Sequence, residues 1–289
     1  MSEPVIAVVG AGAVGGLLAA LMERAGIEVV AVARPETARA ISSAGLAIHS
    51  RNFGDGVSRI TAVTEIPDGA RVIIATKAFA LPTLTGTLAE ARPAEVVSLL
   101  NGIEHLALLQ DSAPGALVAG ASVAVESTRL GPTEIENRSP FLRLTVPGHA
   151  ANAGITAAWQ LAGLDVTVGG TDREVLWSKL RFLAPMALLT SYWRLPIGAA
   201  LLRDTALTTA LLVEVARIAS LDGVPTDPEQ LAGALSALPP AMRSSLQNDL
   251  EAGQPNELDA IGGALVRRGR SLGTDASAVE GLVADLTDR

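Results

Sequence analysis

The chain contains no cysteine among its 289 residues. That excludes disulfides, thiolate metal sites and a cysteine nucleophile together. Its three histidines, His49, His105 and His149, lie far apart and show no metal-ligand spacing, so no metal is expected. Aromatic residues make up only 3%. Positive charge is also short, with a net charge of −8. A broad nucleic-acid surface needs the opposite sign, so no nucleic-acid partner is expected. No apolar run reaches the ~18 residues of a membrane span before a charge, Gly or Pro interrupts it. The start, with Glu3 and Pro4 leading into a strand pattern, lacks the basic segment and cleavage site of a signal peptide. These absences lead to the expectation of a cytoplasmic protein, monomer or homodimer, without a membrane partner.

What is present is apolar and helical or strand-forming. Hydrophobic residues are 49% and charged residues 18%, which suits a packed core rather than disorder. The first half alternates β-branched runs with helical spacing. VIAVV (5–9), VVAVA (29–33), RVIIAT (71–76), EVVSLL (95–100) and ALVAGASVAV (116–125) read as strands. LLAALMERA (17–25) and ALPTLTGTLAEA (80–91) read as helices between them. Strands apolar at nearly every position fit a parallel sheet covered on both faces. Residues 129–149 read as antiparallel edge strands, with turns at Gly131-Pro132 and Pro147-Gly148. From Thr171 on the pattern is almost wholly helical, over 171–192, 204–221, 228–237, 256–269 and 275–287. The expected architecture is therefore α/β. A Rossmann-type doubly wound domain (1–170) precedes an all-helical domain (171–289), with the boundary at Gly169-Gly170.

GAGAVGG (10–16) gives G-x-G-x-x-G at Gly10, Gly12 and Gly15, with Ala13 and Val14 between the last two. It follows a strand directly and opens a helix, the context that a dinucleotide site requires. Gly10 allows a tight turn, Gly12 lets backbone approach a pyrophosphate, and Gly15 lets helix pack on strand. NAD sites usually end the second strand with an acid for the ribose 2′-hydroxyl. Here Arg34 follows that strand, with Arg39 a helical turn on. A guanidinium suits a 2′-phosphate, so NADPH is the expected cofactor, although Glu36 stands close by.

WSKLRFLAPMALLTSYWRLPIG (177–198) poses a separate question, because Lys179 stands at the mouth of a long apolar run. Lysine is rarely buried without a partner, and this stretch offers none. The alternative is a lysine snorkelling from a helix start.

The order of motifs resembles the ketopantoate reductase (2-dehydropantoate 2-reductase) family of the 6-phosphogluconate-dehydrogenase-like superfamily. It runs from the glycine loop through a basic residue after strand two, ATKAF (75–79), LLNGIE (99–104) and WSKL (177–180) to SSLQNDLEAGQPNELDAIGG (244–263). The resemblance spans essentially the whole chain. It implies an NADPH-binding Rossmann domain, a helical domain that supplies a catalytic lysine, and a cleft for a 2-oxo acid. Carried over by motif, Lys77 is the cofactor-side lysine and Asn101 the asparagine beside the nicotinamide. Lys179 is the general acid and Glu257 its partner. Ser245 binds substrate, with Asp249 four residues on. Ser244, Ser245 and Glu257 also have plain readings, as helix caps and a first-turn acid.

The sequence departs from the family where substrate is held. The family helix reads K-L-x-x-N-x-x-x-N, with a further asparagine in a following P-N-G. Here Leu183, Ala187 and Ile197 stand at those places, and Asn248 replaces the glutamine of S-S-x-x-Q-D. Positions 179, 183 and 187 share one helical face, since four residues turn about 40° beyond a full circle. An apolar wall cannot hydrogen-bond ketopantoate's polar groups. Arg181, Arg194 and Arg243 are the nearby cations for a carboxylate. Pro185 removes one helical hydrogen bond and is expected to kink the helix near Arg181. The reading is an NADPH-dependent reductase of a small-molecule carbonyl substrate, a 2-oxo acid other than ketopantoate. Two alternatives are a reductase of a bulkier apolar ketone or imine, and a non-catalytic NADP(H)-binding regulator.

Overall fold

A computed structural model of the chain describes residues 3–288. These fall into two compact units, one running through Leu100 and His105–Val175, the other made of Asn101–Glu104 and the residues from Leu176 on.

The first unit carries the strands β1 Ile6–Val9, β2 Val29–Val32, β3 Leu46–Ser50, β4 Gly56–Ser58, β5 Thr61–Val63, β6 Arg71–Ile74, β7 Glu95–Ser98, β8 Leu117–Gly120, β9 Ser122–Ala124, β10 Ser127–Gly131, β11 Glu134–Asn137, β12 Arg143–Val146 and β13 Asp165–Val168. Its helices are α1 Ala13–Arg24, α2 Pro35–Ala44, α3 Thr85–Ala91, α4 His105–Ser112 and α5 Gly154–Leu161. Six strands form one parallel sheet in the order β5-β2-β1-β6-β7-β8. The chain starts mid-sheet at β1, moves outward to β5, then returns to β6 on β1's other side. Such a reversal is where doubly wound sheets bind ligands, beyond the carboxyl ends of their strands. Ile6, Val8, Val72, Ile73, Ile74, Val96 and Val97 are buried, as expected of strands covered on both faces.

The run 116–125 is not one strand, as the sequence suggested. It breaks at Ala121 into β8, which completes the parallel sheet, and β9, which pairs antiparallel with β12. The Gly120 amide, on the open edge of β8, donates to Asp172 Oδ1 at 2.7 Å. The expected edge strands at 129–149 also divide between two sheets. β10 and β11 form a hairpin beside β3, while β12 joins β9 and β13. The crossover at 80–91 begins as a 3₁₀ turn, Ala78–Thr83, before α3; Pro82 within it has no amide to donate.

The second unit is helical: most of α6 Asp172–Trp193, then α7 Ile197–Arg203, α8 Thr205–Leu221, α9 Pro228–Ser236, α10 Ser245–Glu251, α11 Ala264–Ser271 and α12 Ser277–Thr287. A π-helical turn, Asp259–Gly263, leads into α11. The division between units falls inside α6, between Val175 and Leu176, rather than at Gly169-Gly170. Pro185 is buried, and α6 runs on through it without a break. The buried Trp177, Leu180, Leu188, Leu211, Val215 and Leu265 belong to this unit's core. The buried Glu214 carboxylate accepts the amides of Ala278 and Val279, satisfying donors at the start of α12.

Candidate active site

In the first unit the glycine loop links β1 to α1. Gly10 has φ +100°, and a Cβ there would stand 2.8 Å from Thr76 Cγ2. A Cβ at Gly15 would overlap Gly10 O, so the helix packs on the turn only because position 15 has none. Gly12 is different: a Cβ there would meet nothing within 4 Å, so its backbone faces open space. Gly12 also N-caps α1 without a side-chain bond, leaving the first-turn amides of Ala13, Val14 and Gly15 for a ligand. Val14 turns its side chain onto the core. Thr76 Oγ1 is buried beside this loop with no hydrogen-bond partner among the described residues. Open backbone, free amides and an unused hydroxyl fit a dinucleotide pyrophosphate.

Arg34 follows β2 and N-caps α2. Its exposed side chain makes no hydrogen bond or ion pair among the described residues. Glu36 and Arg39 are exposed too, and Arg39 bonds Pro35 O at 3.2 Å. Sequence reasoning missed Arg129 on β10. Its proton affinity is lowered by burial and, to a smaller extent, by the charge of Arg34. The two are far apart in sequence, and no local pattern signals the link. Lys77, half-buried, caps the 3₁₀ turn after β6.

The second unit holds the acid. Trp177 is fully buried, and its indole N–H donates to Asp222 Oδ2 at 2.7 Å. Asp222 also accepts from Arg268. This anchor fixes the rotation of α6, and Lys179 follows two residues later, half-buried. Burial pulls its ammonium down to about 8, while the Glu257 carboxylate pushes the other way. Glu257 is 6% exposed. Its Oε2 accepts the Asn101 side-chain amide at 3.0 Å. Gly102 has φ +93°, and a Cβ there would stand 2.5 Å from Ala260 O, so the Asn-Gly turn fits against the π-helical turn only with glycine. Asn101 therefore belongs with Lys179 and Glu257 in the helical unit, not with the sheet that precedes it. A lysine with lowered proton affinity beside a held carboxylate is equipped to stabilise a developing oxyanion and give it a proton.

Lys77 and Lys179 are the only lysines in the chain. Every other long cationic side chain is arginine, which does not release its proton.

The expected substrate residues divide. Leu183 is half-buried one turn along α6 from Lys179, and Ser245 is exposed at the start of α10. Asp249 is half-buried on that helix. Ala187 and Ile197, by contrast, are 0% exposed and belong to the interior, with no surface to offer a ligand. Ser244 is a helix cap, accepting the Gln247 amide at 3.0 Å. It also bonds Thr190, which is wholly buried, at 2.8 Å. That tie from α6 to α10 was missed, though Thr190 continues the stripe of positions 179, 183 and 187. Arg243 is engaged by Asn248 and Glu251, and Arg181 by Pro225 O and Thr226 Oγ1. Arg194 ends α6 with φ +54°. No group of His, Asp or Glu among the described residues is arranged to hold a metal, and no helix among them is long and apolar enough to cross a membrane.

Residues 6–148 match the family described as ketopantoate reductase PanE/ApbA, and residues 173–288 match that family's C-terminal domain. The chain is 28% identical over 289 residues to a 2-dehydropantoate 2-reductase of Caulobacter vibrioides, covering 95% of this chain and 96% of that protein. A crystal structure of a PanE/ApbA family ketopantoate reductase from Ralstonia eutropha JMP134 matches with TM-score 0.88 and 29% identity, covering 98% of this chain and 97% of the other. The ternary structure of D-mandelate dehydrogenase with NADH and anilino(oxo)acetate shares the fold, with TM-score 0.87 and 19% identity over 98% of this chain and 97% of that one.

Proposed function

Because the chain belongs to the ketopantoate reductase PanE/ApbA family, whose members are oxidoreductases, we propose that it is an NADPH-dependent reductase of a 2-oxo acid with an apolar side chain. The observation that carries the reading is Lys179: half-buried, with its ammonium brought down to about 8 and Glu257 beside it.

The glycine loop, from Gly10 to Gly15, binds the pyrophosphate, and Arg34 takes the 2′-phosphate. The nicotinamide, when bound, supplies hydride to the carbonyl carbon. Negative charge then develops on the carbonyl oxygen. The Lys179 ammonium stabilises it and donates the proton. Glu257 keeps Lys179 from losing its proton too early, and Asn101 holds the Glu257 carboxylate in place. Leu183 presents an apolar wall on the Lys179 side of α6. D-mandelate dehydrogenase carries anilino(oxo)acetate on the same fold, so the fold accommodates a 2-oxo acid with an aromatic substituent.

The test is NADPH absorbance with a panel of 2-oxo acids graded from ketopantoate to aliphatic and aryl members. Turnover that rises with apolar side-chain size supports the reading. NADPH binding without oxidation by any carbonyl would show a binder instead of an enzyme.

A further inference from the structure

We propose that Arg129 is the second arm of the anion site that Arg34 begins, and that the two guanidiniums together hold the 2′-phosphate of NADP(H). The proposal rests on the cofactor reading above and adds a residue to it from a remote strand.

The geometry of β10 carries the argument. Ser127 Oγ donates to Ala13 O at 2.9 Å, so this face of β10 lies on the first turn of α1. Side chains alternate along a strand, so Ser127 and Arg129 share that face. Directly opposite residues of an antiparallel pair also share a face, and Arg129 is paired with Ile135. Ile135 points the same way: a Cβ at Gly16 of α1 would stand 2.5 Å from Ile135 Cδ1. Three side chains thus place Arg129 on the side of the hairpin that meets the nucleotide loop. The bulge between Arg129 and Gly131 comes after these pairs and leaves them intact.

Arg129 is held but not neutralised. Its Nε donates to Gly131 O and its Nη2 to Pro132 O, both at 2.9 Å. Both partners are backbone carbonyls, and among the described residues no carboxylate pairs with it. Among the described residues Arg34 carries no ion pair either. The charge of Arg34 makes Arg129 harder to protonate, after the effect of burial. Two unpaired guanidiniums repel one another, and a dianion set between them relieves that repulsion. A planar fork on each side matches a phosphate monoester, whose oxygens accept several charge-assisted bonds. NADH, which has a hydroxyl there, gains nothing from the pair.

The experiment measures binding of NADPH, NADH, 2′,5′-ADP and 5′-AMP by titration calorimetry at fixed ionic strength. The unmutated protein is compared with Arg129→Met, Arg129→Lys and Arg34→Met. Arg129→Met is expected to weaken NADPH and 2′,5′-ADP about tenfold, the size of one lost charge-assisted bond. NADH and 5′-AMP should stay within about twofold, and Arg129→Lys should recover part of the loss. Thermal melting checks that each variant is folded. Equal weakening of NADPH and NADH by Arg129→Met, or no change in either, overturns the proposal. Equal affinity of the unmutated protein for NADPH and NADH overturns the cofactor reading and the proposal with it. A preference that survives Arg129→Met but collapses in Arg34→Met overturns the proposal alone.

Discussion

Asn101 donates its side-chain amide to the Glu257 carboxylate at 3.0 Å, although the two lie 156 positions apart in sequence. That bond holds the Glu257 carboxylate in position. A charged Glu257 in turn opposes the desolvation that draws the Lys179 proton away. Burial lowers the Lys179 proton affinity most and Glu257 offsets part of that, so the two together set the pH at which the acid works.

Reduction is expected to lose rate above about pH 8, as Lys179 deprotonates. The kcat/KM profile with NADPH at saturation reads this directly. The Lys179 ammonium lies below its ordinary value of 10.5, so between the two values the unfolded chain binds more protons than the folded one. Stability contributed through this group therefore rises from about pH 8 toward 10.5 and is lowest below pH 8. Glu257→Gln removes the opposing charge, so the falling limb of the activity profile should move to lower pH. A limb that stays in place in Glu257→Gln would mean the carboxylate does not tune the lysine.

Lys179→Ala should lower kcat by roughly 10²–10⁴, the range for a positioned proton donor. NADPH affinity should persist, since the glycine loop lies in the other unit. Lys179→Arg should restore charge but little turnover, because a guanidinium keeps its proton. Stopped-flow hydride transfer with the best 2-oxo acid separates the two effects. Near-normal transfer in Lys179→Ala would leave the lysine without a part in the proton transfer.

Arg34→Ala should raise the NADPH Kd by an amount on the order of 1.5–3 kcal/mol, the worth of a hydrogen bond to a charged group. NADH affinity should hardly move. Calorimetric titration of both cofactors checks it, and a matched loss for NADH would point to a folding defect at the start of α2.

Legibility in the sequence followed locality. Gly10, Gly12 and Gly15 act within a few residues, between a strand and a helix, and their three different steric roles were readable in advance. Lys179 was visible as a charge in an apolar run. Arg129 was not, because only the pairing of β10 with β11 and the packing of Ser127 on Ala13 bring its strand face onto the start of α1. The break at Ala121 was hidden for a related reason: 116–125 is uniformly strand-forming, and only the tertiary pairing sends β8 to β7 and β9 to β12. Ala187 shows the limit of a helical face drawn from spacing alone. It shares the stripe of Lys179, yet α6 sinks into its own core before reaching that position.

That last point changes how the substrate pocket is probed. Leu183 packs on the helical core but keeps part of its side chain exposed, whereas Ala187 is 0% exposed. An asparagine at 187 would bury an amide in a packed interior, at about 1–3 kcal/mol if unpaired. The informative change is Leu183→Asn alone. It should raise kcat/KM for ketopantoate about tenfold, the worth of one regained hydrogen bond, and lower it for an apolar 2-oxo acid. The unmutated protein should reduce ketopantoate poorly, because Leu183 gives its polar groups no partner. The measurement is kcat/KM for both acids in both proteins. Ketopantoate reduction by the unmutated chain at about 10⁴ M⁻¹s⁻¹ or faster, within the ordinary enzymatic range, would show that the apolar wall does not select the substrate.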